Sequence, residues 1–253
     1  MNPPPLAARE MAREERFGTI WTQELNQVFA DVAPYYDRAN RFASLGLWRC
    51  FLDRFVGTIE TRPGQRALDV CAGTNAVGIA LLEREPGIEV HAIDRSGNMQ
   101  EVGRQRAQAK GLRIHGVIGD VHELPFPDNH FDIVTLQWAS RHLRVERVFG
   151  EIHRVLKPGG RFYHCDMLRP VNPLVEKLYY GYLRFCLAFT GFVFRSGPAA
   201  LNAKQYFLNA LQMFYSAEEL SIVMRELRYR DVAAQTLLAG MIGFHRATKA
   251  LPG

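Results

Sequence analysis

Five short apolar runs recur between residues 66 and 167: RALDVCAG, IEVHAIDRS, LRIHGVIGD, FDIVTLQW and GRFYHCDM. Helix-period segments at 75–85, 97–110 and 145–156 separate them, closed near Pro86-Gly87, Gly111 and Pro158-Gly159-Gly160. Runs of this length are too short to be buried helices and have the length of strands. A strand that returns parallel to its predecessor needs a crossover of a dozen residues or more, and a helix is the usual one. Strands alternating with helices therefore predict an α/β fold with a parallel sheet and right-handed crossovers. With 47% hydrophobic and 23% charged residues, intrinsic disorder, collagen-like and coiled-coil classes are excluded.

The flanks differ. Residues 1–20 are Pro-rich and then charged, and read as a flexible tail. Leu25, Val28, Phe29 and Val32 recur at helical spacing, so residues 21–60 are expected to hold two or three helices, with a turn near Gly46. Residues 61–168 form the expected core. Residues 169–215 read as a helical cap, because 11 of the 28 Phe, Trp and Tyr residues fall in 174–215. Ser216 is placed to cap a helix whose first turn carries Glu218 and Glu219. Residues 231–237 and 241–248 can then close the fold as an antiparallel pair. Residues 21–253 thus read as a single domain.

Charge bears on partners. The formal +5 lies wholly after residue 167, where 10 basic side chains face 5 acidic ones. That is too little to indicate nucleic acid, and no nucleic-acid partner is expected. None of the four cysteines (Cys50, Cys71, Cys165 and Cys186) forms a C-x-x-C pair, and no metal site is expected. The start lacks an apolar signal core, and no 18-residue apolar run occurs, so a cytoplasmic location without a membrane span is expected. The segment LYYGYLRFCLAFTGFVF carries Arg184 inside it and suits a cap over an apolar ligand. With Lys177 and Arg195 beside it, a peripheral membrane contact through residues 174–195 is expected.

In an open parallel sheet, ligands bind beyond the carboxyl ends of the strands. Asp69, Asp94 and Asp120 stand at three such ends. The first strand runs into Cys71-Ala72-Gly73-Thr74-Asn75, a small-residue turn entering a helix. A carboxylate at Asp94 can accept both hydroxyls of a ribose, and one at Asp120 an exocyclic amine. The turn lacks the G-x-G-x-x-G fingerprint of dinucleotide sites. An acidic first-strand end repels pyrophosphate and attracts a cation. S-adenosylmethionine, with its amino and sulfonium groups, fits that charge.

The chain resembles the class I methyltransferases, and more narrowly the ubiquinone/menaquinone C-methyltransferase (UbiE-like) family. The marks are VAPYYDRANRFASLG, ALDVCAGT, LPFPDNHFD, RVLKPGGRF and LLAGMIGFHRATK, spread from Val28 to Lys249. The resemblance implies a Rossmann-like, seven-stranded, mostly parallel sheet with an antiparallel last strand. It also implies S-adenosylmethionine as cofactor and carbon methylation of a polyprenylated quinol. Tyr36, Asp69, Ala72, Gly73, Thr74, Asn75, Asp94, Arg95, Met99, Asp120, Val121 and Gln137 are the expected cofactor residues. Arg141 and His142 are the expected catalytic pair, the first as a charge facing the developing phenolate and the second as base. Tyr36 and Asp37 are expected to close over the cofactor. His164 is expected to be buried and structural, and His245 with Arg246 to serve the sheet.

Departures from the family pattern gather on the substrate side. Ala72 and Asn75 replace glycines of the turn, Trp48 stands where histidine is usual and Phe51 where tryptophan is usual. His142 follows Arg141 where the family has asparagine, Asp166 replaces a glutamate and Leu168 a serine. Two rival expectations follow: a methyltransferase for another hydrophobic or phenolic acceptor, or a relative that binds S-adenosylmethionine without methylating.

Overall fold

The computed structural model describes residues 6–33, 35–193 and 204–251. Helices α1 (Leu6–Thr19), α2 (Leu25–Val32), α3 (Tyr36–Ala43) and α4 (Trp48–Thr58) precede the sheet. The core alternates β1 (Arg66–Val70), α5 (Ala76–Arg84), β2 (Glu89–Asp94), α6 (Gly97–Ala109), β3 (His115–Ile118), β4 (Phe131–Gln137), α7 (Val145–Val155) and β5 (Leu156–Met167). Then come α8 (Pro173–Val193), α9 (Lys204–Gln212), α10 (Ala217–Glu226), β6 (Tyr229–Leu237) and β7 (Ile242–Lys249). The seven strands run in the order β3-β2-β1-β4-β5-β7-β6. The first five pair in parallel, and β7 lies antiparallel between β5 and β6. The expected sheet, with one antiparallel strand, is present.

Central strands are covered on both faces. Leu68 and Val70 point with Phe149, Ile152, Val223 and Met224 into one core. Ala67 and Ile133 point with Phe55, Val77 and Leu81 into the other. Truncating a buried phenylalanine such as Phe149 costs about 3–5 kcal/mol. Helix α10 starts on a capping box: the Ser216 hydroxyl accepts from the Glu219 N–H, and the Glu219 carboxylate accepts from the Ser216 N–H. Strand β5 begins earlier than its pattern suggests. Leu156 pairs Phe131, Arg161 pairs Ile133, and residues 157–160 bulge out between them.

One expectation is overturned. Residues 6–19 are not a tail but helix α1, and its buried face consists of Arg9, Glu10, Arg13 and Phe17. Arg13 is fully buried. Its guanidinium donates to the carbonyls of Arg141 (3.1 Å) and Leu143 (3.2 Å), pairs with Glu10 at 2.5 Å, and lies over the rings of Trp21, Phe214 and Tyr215. Arg9 pairs with Glu219 at 2.6 Å. A hydrophobic periodicity does not register a helix whose inner face is charged and paired. The expected cap at 169–215 contains α8 and α9; its residues 194–203, Arg195 among them, lie outside the described residues.

Candidate functional site

A cleft opens beyond the carboxyl ends of β1, β2 and β4. It is lined by Tyr36, Asp69, Ala72, Gly73, Thr74, Asp94, Arg95, Met99, Asp120, Val121, Gln137 and His142, all named from the sequence. Asn75 and Arg141 do not line it.

The turn after β1 explains its composition. Cys71, Gly73 and Asn75 all have left-handed backbones, with φ of 55°, 50° and 56°. Asparagine tolerates this region better than most residues, so Asn75 replaces a glycine without breaking the turn. Its side chain points behind the turn, where its Oδ1 accepts from Gln100 Nε2 at 3.2 Å. A Cβ at Gly103 would lie 2.7 Å from Asn75 Nδ2, so the glycine on α6 makes room for this amide. Asp94 locks the turn from the neighbouring strand: one carboxylate oxygen accepts from the Gly73 N–H and the other from the Ser96 N–H, both at 2.8 Å. Both oxygens keep a free lone pair for a ligand hydroxyl.

Three carboxylates give the cleft its electrostatics. Asp69 is buried at the centre. Its Oδ1 accepts from Thr135 Oγ1 at 2.8 Å, and its Oδ2 has no hydrogen-bond partner among the described residues. Burial pushes this carboxyl up to about 7, from an ordinary 3.8. Burial also raises Asp94, against its backbone donors. Asp120 differs. Burial would raise it, but bonds from the His122 N–H and ring and from Arg95 outweigh that and hold it down to about 2. The orphaned Asp69 oxygen wants a cation, while Asp94 and Asp120 want hydroxyl and amine donors. The residues present therefore fit S-adenosylmethionine.

The other end of the cleft is aromatic. Trp48 stacks on Trp138 at 5.4 Å, Tyr36 meets Trp48 edge-on at 6.2 Å, and Trp21, Leu25 and Phe29 close the side. The N-terminal helices are strapped on by Arg95, which donates to the Trp21 carbonyl, and by Asp37, which accepts from Thr74 at 3.4 Å and pairs with Arg106. Trp48 was marked from the sequence only as a departure on the substrate side, and Leu25 and Phe29 only as a helix face; Trp21 and Trp138 were not named at all. Their distance from the strand ends along the chain hides them, except Trp138, which directly follows β4.

The two expected catalytic residues turn out buried. Arg141 sits one layer behind the cleft, donates to Asp166 at 2.6 Å and to the Trp138 carbonyl at 2.8 Å, and lies over the Phe207 ring. His142 has its Nδ1 2.6 Å from the Tyr206 hydroxyl, which accepts in turn from Trp21 Nε1 at 3.0 Å. Burial, with Arg141 and Arg13 nearby, drives the imidazole well below its usual range, so His142 is neutral here. His164 is buried, bonded to Ser140 at 2.8 Å and His245 at 3.1 Å.

Residues 18–249 match the ubiE/COQ5 methyltransferase family. The chain belongs to that family. It is 33% identical over 239 residues to a demethylmenaquinone methyltransferase of Symbiobacterium thermophilum, covering 91% of this chain and 94% of that one. It is 32% identical over 225 residues to the ubiquinone/menaquinone biosynthesis C-methyltransferase UbiE of Cereibacter sphaeroides, covering 88% and 89%. Its fold is similar to a SAM-dependent methyltransferase structure from Aquifex aeolicus, with a TM-score of 0.56, 16% identity, and 79% and 89% coverage. The protein is a methyltransferase, and S-adenosylmethionine is its cofactor.

Proposed function

We propose that this methyltransferase transfers its methyl group to a ring carbon of a demethylated polyprenyl quinol of the ubiquinol or menaquinol type. The observation that carries this is the continuity of one cleft from the carboxylate end, at Asp69 and Asp94, to the aromatic end, at Trp48 and Trp138. A flat aromatic acceptor packs against rings, and the cleft brings it in line with the cofactor. S-adenosylmethionine supplies the activated methyl group on its sulfonium.

Alignment of donor and acceptor is the main catalytic contribution expected here. Asp69 Oδ2 would hold the ammonium end of the cofactor, Asp94 its ribose hydroxyls and Asp120 its base. Gly73 lets the turn approach closely, since a Cβ there would meet Met99 at 3.3 Å. Attack from a ring carbon requires the acceptor hydroxyl to lose its proton; the neutral His142 imidazole in the cleft would take it, and the ring proton displaced by the methyl group would leave to solvent. Arg141, neutralised in part by Asp166, would add positive potential from behind and hold the Trp138 carbonyl. The supporting experiment is anaerobic incubation with labelled S-adenosylmethionine and a short-tailed demethylated quinol. Label on a ring carbon supports the proposal. Label only on oxygen, or turnover only with non-quinol phenols, overturns it in favour of another acceptor.

We also propose that the enzyme meets its substrate at the cytoplasmic face of a membrane. No helix among the described residues is long and apolar enough to cross one. Helix α8 nonetheless exposes Leu174, Leu178, Phe185 and Phe189, and Phe42 of α3 stacks on Phe189 at 4.8 Å. Lys177 and Arg184 lie exposed on the same helix. Co-sedimentation with vesicles containing anionic lipid, lost in a Phe185→Ser, Phe189→Ser variant, would support this contact.

A further inference from the structure

Trp138 is held in a costly conformation for a purpose the preceding assignments do not use. It directly follows β4, and its φ of 59° puts a bulky aromatic residue in the left-handed region. For such a residue this is a true outlier, of a kind that gathers at functional sites. Two bonds maintain it. The Trp138 N–H donates to the Cys165 carbonyl at 2.9 Å, and the Trp138 carbonyl accepts from Arg141 at 2.8 Å. On the side-chain end, Trp48 stacks on the indole and Phe51 meets it edge-on at 6.2 Å. The ring is therefore fixed in position and in tilt.

The fixed ring lines the cleft and is only 8% exposed, yet its Nε1–H has no hydrogen-bond partner among the described residues. Leaving an indole donor buried and unpaired is destabilising, and native interiors rarely accept that without reason. The contrast with Trp21 is direct, because that indole donates to Tyr206. Asp69 Oδ2 and Gln137 Nε2 are the other unpartnered buried side-chain atoms among the described residues of this cleft, an acceptor at the end of β1 and a second donor at the end of β4. The orphans mark opposite chemical needs: a cation at Asp69, and hydrogen-bond acceptors at Gln137 and at Trp138, which lies within the aromatic end.

We propose that the Trp138 indole N–H binds a ring oxygen of the methyl acceptor and so determines how the acceptor ring is oriented. This rests on the quinol assignment and deepens it. Trp48 and Phe51, two of the positions where this chain departs from its family's pattern, act through Trp138 as positioning residues. Arg141 does the same through the Trp138 carbonyl.

The test compares wild type with Trp138→Phe, which keeps an aromatic ring and removes the donor. Wild-type turnover on a short-tailed demethylated quinol is measured first; its absence overturns the quinol assignment, whereas the tests of Trp138 that follow can fail with turnover intact. With turnover present, the acceptor KM is expected to rise about five- to tenfold, the worth of one hydrogen bond, while kcat changes less than about twofold. The dissociation constant of S-adenosylmethionine should not move. An unchanged acceptor KM, or a loss expressed in cofactor affinity, overturns the proposal. A readout that does not depend on the variant folding is the indole ¹⁵N–H spectrum of the three tryptophans of the wild-type chain. Trp21→Phe and Trp48→Phe assign the Trp138 signal by elimination. It should shift downfield on adding the quinol to protein already holding S-adenosylhomocysteine. A downfield shift with S-adenosylhomocysteine alone, or none with the quinol, refutes the assignment.

Discussion

Asp69 should make cofactor binding depend on pH near neutrality. Its carboxyl titrates at about 7 because burial disfavours the charged form. A cationic ligand binds the ionised form. Affinity should therefore fall as pH drops through 7, approaching a tenfold loss per pH unit. With a midpoint of 7, lowering the pH from 7.0 to 5.5 reduces the ionised fraction about sixteenfold. Below pH 7 the ligand's own α-amino group is already protonated in the main, so its titration adds little in this window. The same shift predicts the stability of the empty protein. The folded state holds this proton up to about pH 7, whereas the unfolded chain releases it near 3.8. Stability associated with the bound proton is complete below the unfolded value and is lost as pH rises through the folded one, a total of about 4 kcal/mol. Asp69→Asn should thus melt higher than wild type at pH 8, by several degrees, and the gain should vanish near pH 4. The same variant should bind S-adenosylmethionine weakly and without the pH slope. Isothermal titration from pH 5.5 to 7.0, with thermal melts from pH 4 to 8, measures both. A flat wild-type profile, or a slope that survives in Asp69→Asn, would refute the reasoning.

Other perturbations address the supports of the site. Gly103→Ala places a Cβ 2.7 Å from the Asn75 amide and 2.9 Å from the Thr74 backbone carbon, so the turn must shift; cofactor affinity should drop about tenfold, read by titration. Arg13→Ala leaves Glu10 buried without its partner and the carbonyls of Arg141 and Leu143 without a donor; it should cost about 3–5 kcal/mol in chemical denaturation and lower kcat with it. Asp166→Asn removes the charge opposite Arg141, a residue only 6% exposed; stability should fall by a similar amount, with the acceptor KM rising more than the cofactor Kd.

The arrangement of the sheet and the cofactor end of the cleft were legible in the chain because both depend on local rules. Apolar runs with strand length dictate strands, helical spacers dictate parallel crossovers, and a strand-end acid next to a small-residue turn implies a cationic nucleoside. Asp69, Asp94, Asp120 and the 71–75 turn all sit where those rules place them. Three features required the folded molecule. Helix α1 buries Arg9, Glu10 and Arg13, whose partners Glu219, Arg141 and Leu143 are distant in sequence, so no hydrophobic pattern marks it. His142 is buried and neutral because folding sets it against Tyr206, on a helix 64 residues away, and beside Arg141 and Arg13. Trp138 becomes a fixed, unpaired donor only because Trp48 and Cys165 meet it across the fold. Sequence alone decided the alternating strands and helices of the core and which cofactor charge they suit, since those follow from periodicity and residue type. Tertiary structure decided which polar groups are satisfied and which are left for a ligand, since that depends on partners that only folding brings together.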